Sequence, residues 1–309
     1  MIRRPPRSTR KESSAASDVY KRQLLAGAMV SCSTEDTAPS TQNDKVAVQF
    51  TGGISVNTRA AGQAWADGDK IGIFMIEAGK TLSVDVIKEG VDNVCYQTSG
   101  SSTFSPISGG KTIFFPIDGD VDFYSYYPQT TVNDYKVALN MADQKSQEAI
   151  DFMYAKTTGC HKSIPQVELK FNHKLSKLIL NVQPGNGLTQ DDLNNLTVTI
   201  KDQNTTATFN LADGVISGEG NPDNIQMKAT QVGKIYEAIL LPTATTTREI
   251  EFNLNNGHDA PFVWTMATDL KGGNLYNYTT VKLTRTGVEL SGTIKPWNEV
   301  KNDNENIAN

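Results

Sequence analysis

Apolar residues alternate with polar or small ones along Val46, Val48 and Phe50, the spacing of a strand with one buried face. Ile71–Ile76 (IGIFMI) is instead a continuous apolar run, short enough to be a strand covered on both faces. The same reasoning predicts strands at Ser83–Ile87, Lys111–Phe115, Val121–Tyr127, Val167–Val182, Leu196–Lys201 and Thr206–Leu211. Further ones are expected at Ile235–Leu241, Glu249–Leu254, Phe262–Met266, Tyr276–Thr284 and Val288–Lys295. Turn dipeptides such as Asp67-Gly68, Gly109-Gly110, Asp118-Gly119, Asp213-Gly214 and Gly272-Gly273 punctuate them. Many short strands at this spacing predict an all-β chain of sandwiches or barrels. Helix is scarce. Thr189-Gln190-Asp191-Asp192 has the form of a capping box, and Ser146–Ala155 would put Ala149, Ile150 and Met153 on one helical face. Both predict short connecting helices. A break near Cys160–Pro165 separates two expected domains, residues 45–164 and 165–298, each of ordinary domain size.

Composition changes this picture mainly at the N-terminus. The 309 residues carry 34 acids against 29 bases, a net charge of −5, and so lack the positive excess that a general nucleic-acid binder uses to displace counterions. Residues 1–23 hold seven of those bases against two acids, and without them the balance falls to −10. They show no hydrophobic period. The string could be a disordered basic arm, but it lacks the amphipathic pattern of a transit peptide. It resembles translated sequencing-adapter DNA at the broken end of an assembled contig, and no function is assigned to it. Residues 24–31 (LLAGAMVS) then read as the remnant of a signal peptide whose small last residue precedes Cys32. This resembles a bacterial lipoprotein signal, with Cys32 as the lipid attachment site and residues 32–44 as a polar tether. Two or more acyl chains would hold the protein stably on a membrane. Within the tether, Asp36-Thr37-Ala38 resembles an O-glycosylation acceptor of Bacteroides-type bacteria, placing a sugar on Thr37.

Searches for chemistry return little. No nucleophile elbow, P-loop or dinucleotide-binding glycine fingerprint is present. His161, His173 and His258 never stand four apart on a helix, and Cys160-His161 are neighbours that a strand would point to opposite faces. No metal, cofactor or catalytic residue is therefore expected, and the chain is read as a non-enzyme. Cys95 and Cys160 could form a disulfide in an exported protein, or could be two separately buried thiols. Phe123-Tyr124-Ser125-Tyr126-Tyr127 could stack on sugars, though alternating aromatics on a strand more often belong to a core.

A family resemblance supplies what the chemistry does not. It rests on Thr58-Arg59-Ala60, Trp65-Ala66-Asp67-Gly68-Asp69-Lys70-Ile71-Gly72-Ile73-Phe74, Tyr126-Tyr127-Pro128 and Asp151-Phe152-Met153-Tyr154-Ala155. It continues through Phe171-Asn172-His173-Lys174-Leu175-Ser176-Lys177-Leu178, Ala238-Ile239-Leu240-Leu241-Pro242 and Gly292-Thr293-Ile294-Lys295-Pro296-Trp297. In order and spacing these segments resemble the fimbrillin-like proteins of Bacteroides-type bacteria, subunits or accessory components of surface fimbriae. The resemblance implies two tandem transthyretin-like β-sandwich domains on an outer-membrane lipoprotein. It implies assembly by strand exchange: a trypsin-like maturation protease cuts after an Arg, here Arg59, and the first strand, with Val46, Val48 and Phe50, leaves. A strand from another fimbrial subunit replaces it. Implied partners are thus other subunits, the protease, the outer membrane through the lipid anchor, and a host or bacterial surface ligand. A rival reading is a monomeric carbohydrate-binding surface lipoprotein, for which Tyr124 with Tyr126, or Tyr276 with Tyr278, would be the exposed platform. The polar tail 299–309 makes a poor donor strand. Either Val288–Ile294 donates, or the subunit accepts a strand and gives none, as a tip subunit would.

Overall fold

The computed structural model describes residues 45–55, 64–244 and 247–297. Among them every regular element is a strand, apart from two 3-10 turns at Val84–Val86 and Asp191–Leu193. Where two tandem transthyretin-like sandwiches are expected, the first part of the chain forms one closed sheet. Its strands are β1 (Gln49–Ile54), β2 (Asp67–Glu77), β3 (Val94–Ser99), β4 (Thr103–Pro106), β5 (Val121–Tyr127), β7 (Met153–Cys160) and β8 (Gln166–His173). They run around a barrel in the order β1-β4-β3-β2-β5-β7-β8, and β1 closes it by pairing antiparallel with β4 and parallel with β8.

The remaining strands build two five-stranded sheets. One contains β10 (Thr197–Asn210), β11 (Val215–Gln226), β14 (Arg248–Asn253) and β15 (Phe262–Met266), with β6 (Lys136–Asn140) paired to the second half of β10. The other runs β12-β13-β9-β16-β17, from β9 (Ser176–Pro184), β12 (Lys228–Gln231), β13 (Ile235–Leu240), β16 (Asn274–Thr284) and β17 (Gly287–Pro296). The inward residues of both sheets, among them Leu178, Leu180, Val198, Ile250 and Val281, share one hydrophobic core.

The continuous apolar runs lie where these cores meet. Along β2, Ile71, Ile73 and Met75 point into the barrel, while Phe74 and Ile76 join the core of the two sheets. In β5, Val121, Phe123 and Tyr127 face the barrel and Tyr124 and Tyr126 face outward into the other core. Side chains alternate across a strand, so a strand buried on both faces must be apolar throughout. The barrel wall is thereby packed on its outer side as well.

The two expected helices do not form. The capping box at Thr189 is only half made: its N–H and hydroxyl both donate to Asp192 Oδ2 at 2.7 and 2.8 Å, with no side-chain bond to the backbone of the turn. It opens only the turn Asp191–Leu193, because β10 begins at Thr197 with no apolar helical period between. Ser146–Ala155 makes a single turn, in which Ile150 and Asp151 both donate to the Gln147 carbonyl, before β7 starts at Met153. Phe152 and Tyr154 enter the sheet core while Met153 and Ala155 enter the barrel, which gives a two-sided strand the look of a helical stripe. Ser83–Ile87 is likewise a 3-10 turn rather than a strand, with Val84 70% exposed and Ile87 bridged to Ile76.

The alternative disulfide is absent: Cys95 on β3 and Cys160 on β7 are free. Two strands, β2 and β5, separate them around the barrel, and Cys95 lies level with Gly72, Tyr126 and then Tyr154 of β7. Three strand steps alone are roughly 14 Å, about twice the Cα separation that a disulfide spans. Burial, helped by Asp122 and Asp120, pushes the Cys160 thiol up to about 11, and burial raises Cys95 as well. At pH 8 the thiolate fraction of Cys160 is then on the order of one in a thousand, against about a quarter for an ordinary thiol. In a Cys32→Ala chain without reductant, iodoacetamide at pH 8 should label these thiols slowly when folded and both quickly in denaturant. Mass spectrometry showing no label in denaturant until reductant is added would reverse the assignment.

Candidate functional site

The surroundings of β1 form the candidate site. Its alternation gives Phe50 an inward position, 1% exposed, with edge-on ring contacts to Tyr96 at 5.3 Å and Phe123 at 5.1 Å. Val48 is 6% exposed in the same core, and Val46 packs partly buried against it. The backbone is committed on both sides. Six residues, Gln49 to Ile54, pair with Gln166 to Phe171 of β8, and Phe50 and Thr51 pair with Phe104 and Thr103 of β4. Before the strand proper, Val48 N–H donates to the Ile113 carbonyl and Phe115 N–H to the Val46 carbonyl. After it, Ser55 N–H donates to Phe171.

Trp65 completes the seat. Its indole N–H donates to the Gly52 carbonyl at 2.7 Å, and its ring stands edge-on to Phe104, Tyr127 and Phe171 at 5.0–5.4 Å. Gly52 must be small there, because a Cβ would come within 2.6 Å of the Phe104 ring. Sequence reading singled out Val46, Val48 and Phe50 but gave Trp65 no role beyond its place in a motif. A Trp is amphipathic, so a buried one needs a partner for its N–H. That demand was the available signal.

Beside Trp65 a cavity of about 370 Å³ opens between barrel residues Asp69, Tyr127 and Asp151 and the β9 and β13 residues Lys177 and Glu237. Several of its charges are already engaged. Asp69 accepts from Ala66 N–H at 2.7 Å and from the Tyr127 hydroxyl at 3.0 Å, and Lys177 Nζ lies 2.9 Å from Glu237 Oε2. Burial, reinforced by the Asp69 carboxylate, holds the Tyr127 phenol well above the ordinary tyrosine range. Asp151 Oδ1 is 2.8 Å from His173 Nδ1, and the His173 ring stacks on Trp297 at 3.7 Å and 8°. The His173–Trp297 stack ties the end of β8 in the barrel to the residue that follows β17 of the second sheet. Among the described residues, no three His, Cys, Asp or Glu side chains converge in a way that could hold a metal.

Other expected positions are dispersed. Cys32 and Thr37 lie in residues 1–44 and Arg59 in 56–63, all outside the described residues. The platform needed by the carbohydrate-binding alternative is not available: Tyr124 and Tyr126 are fully buried and Tyr276 is 1% exposed. Tyr278 is half-buried against Trp264, rings 4.8 Å apart. Cys160-His161 sits at the β7–β8 connection, where His161 Nδ1 meets Ser163 Oγ at 2.8 Å.

Known proteins resemble this chain over most of its length. It is 31% identical over 290 residues to a Bacteroides uniformis protein named "Putative fimbrium subunit Fim1C", covering 89% of this chain and 93% of that one. A crystal structure described as "a putative cell adhesion protein" from Bacteroides uniformis superposes with a TM-score of 0.71 at 32% identity, over 82% of this chain and 99% of that one. A second so described, from Bacteroides ovatus, shares the fold at 23% identity, with a TM-score of 0.65 over 83% and 99% of the two chains. Residues 58–297 match the model of the fimbrillin-like family, and with that span the chain belongs to it.

Proposed function

We propose that the chain is a non-enzymatic subunit of a cell-surface fimbrium, exported to the outer membrane as a lipoprotein through Cys32 and assembled by protease-triggered strand exchange in support of adhesion. One observation carries this reading: β1 closes the barrel, yet it precedes every other described strand. A single cut after Arg59, between Ser55 and Trp65, severs it from the rest of the molecule.

The physics of its departure favours replacement over collapse. Loss of Val46, Val48 and Phe50 exposes apolar surface at about 1.5–3 kcal/mol per side chain. It also leaves the facing N–H and C=O groups of β4 and β8 without partners. An incoming strand of matching alternation restores both, which is β-strand addition. A donor is at hand in β17. Val288, Leu290 and Ile294 lie opposite the buried Leu283, Val281 and Tyr276, hence on the inward face. Leu290 and Ile294 are nevertheless 38% and 55% exposed. A strand whose apolar face is so poorly covered at home gains by burying it in a neighbour's barrel. The fimbrium and cell-adhesion names of the similar proteins support the same conclusion.

Limited trypsin treatment of the chain from residue 32 onward, carrying Cys32→Ala, tests this directly. The expected result is one early cut after Arg59 by mass spectrometry, followed by heat-labile, detergent-resistant ladders and filaments in the electron microscope. A clean cut that leaves only monomers at every concentration would count against self-assembly. Early cutting elsewhere would count against Arg59 as the maturation site.

A further inference from the structure

We propose that Trp297 is the pin that holds β17 on its own sheet, and that its seat on β8 makes the release of β17 depend on β1. The biological consequence rests on the strand-exchange reading, whereas the contacts do not.

Strand β17 is the last of its sheet and has a single ladder partner, β16. Val288 packs partly buried against the core, but the inward Leu290 and Ile294 further along are 38% and 55% exposed, so burial along its length is incomplete. Directly after the strand, Trp297 is only 7% exposed. Its N–H donates to the Gly273 carbonyl, and its ring lies flat on the His173 imidazole. Burial is thus concentrated at the strand's far end. A strand held this way opens by losing its pin, not by peeling residue by residue.

The pin's seat belongs to the barrel. His173 ends β8, its side chain is fully buried, and Asp151 fixes its ring through Nδ1. Strand β8 is registered with β1 over six residues, up to Phe171, but with β7 over only two, Met153 with His173 and Tyr154 with Asn172. Withdrawal of β1 strips β8 of its longer ladder up to two residues from His173. The imidazole then loses its fixed position, the stack on Trp297 loosens, and β17 is released. Opening the groove that accepts a strand and freeing the strand that is donated become one event. Linkage requires the converse: unpinning β17 must also ease the loss of β1. An uncut precursor therefore keeps its donor folded back and does not polymerise early.

Hydrogen exchange of the full chain, read by mass spectrometry, tests the pin and the coupling separately. Locally opening segments exchange faster than the global unit. Trp297→Ala should speed exchange in residues 288–295 by at least about tenfold, with 177–182 of β9 unchanged. Trp297→Phe, which keeps a stacking ring, should return 288–295 close to wild type. Unchanged exchange at 288–295 in Trp297→Ala, or equal acceleration at 177–182, overturns the pin. Phe50→Ala, which loosens β1 without any cut, should accelerate 288–295 together with 166–171. Failure of 288–295 to accelerate in that variant overturns the coupling. The strand-exchange reading would survive either failure, because its own test is filament formation after cleavage at Arg59.

Discussion

Phe50→Ala should destabilise the barrel by about 3–5 kcal/mol, the usual cost of deleting a buried aromatic ring. The ring sits near the start of the closing strand, and its two edge-on neighbours, Tyr96 and Phe123, come from β3 and β5. A closed barrel cannot collapse around the hole without breaking ladder bonds on one side of β1, so the cost belongs at the upper end. At about 2–4 °C per kcal/mol for a chain of this size, the melting temperature should fall by roughly 10 °C. Gln49→Ala is the matched control. Gln49 is exposed one position earlier on the same strand, and its replacement should stay within about 0.5 kcal/mol. Urea unfolding of both variants measures the difference. Equal, small effects would mean that backbone pairing alone seats β1. Its exchange for another strand would then need no apolar complementarity.

The candidate site was readable where a single strand's own pattern decides the outcome. Val48 and Phe50 alternate with exposed Ala47 and Gln49, and the alternation survives in the structure because one side of β1 faces the barrel core. Ile71–Ile76 was equally plain, since a run buried on both faces leaves no polar position to confuse it. What stayed hidden depends on contacts distant in sequence. Trp65 acts through a carbonyl thirteen residues away, and His173 through Asp151 and Trp297, none of which leaves a local period. Strand β11, VISGEGNPDNIQ, contains Gly, Pro, Asp and Asn and buries only Ile225. At a sheet edge its composition is that of a loop, and only the ladder to β10 makes it a strand. Val167–Val182 hid a junction for the opposite reason. Strands β8 and β9 carry the same alternation on both sides of Lys174-Leu175, although one belongs to the barrel and the other to the neighbouring sheet.

The pair Leu290→Lys and Ile294→Lys should abolish assembly while leaving the monomer nearly as stable as before. In the folded-back strand both side chains are substantially exposed, so each Lys can extend its ammonium into water and the cost should stay below about 1 kcal/mol. In a neighbour's barrel they would lie on the inward face of the incoming strand, the face on which Val48 and Phe50 are almost fully enclosed. An unpaired ammonium there loses its hydration without compensation, a penalty of several kcal/mol. Every 1.4 kcal/mol is a factor of ten in affinity, so the double variant should bind at least about a thousandfold more weakly. Val281→Lys supplies the contrast, for Val281 lies directly opposite Leu290 but is fully buried, and its replacement should unfold the sheet. The readout is filament mass after trypsin, beside the melting temperature before it. Normal melting with no filaments identifies β17 as the donated strand. Normal melting with undiminished filaments would remove β17 from that role and give it to another segment of the same chain.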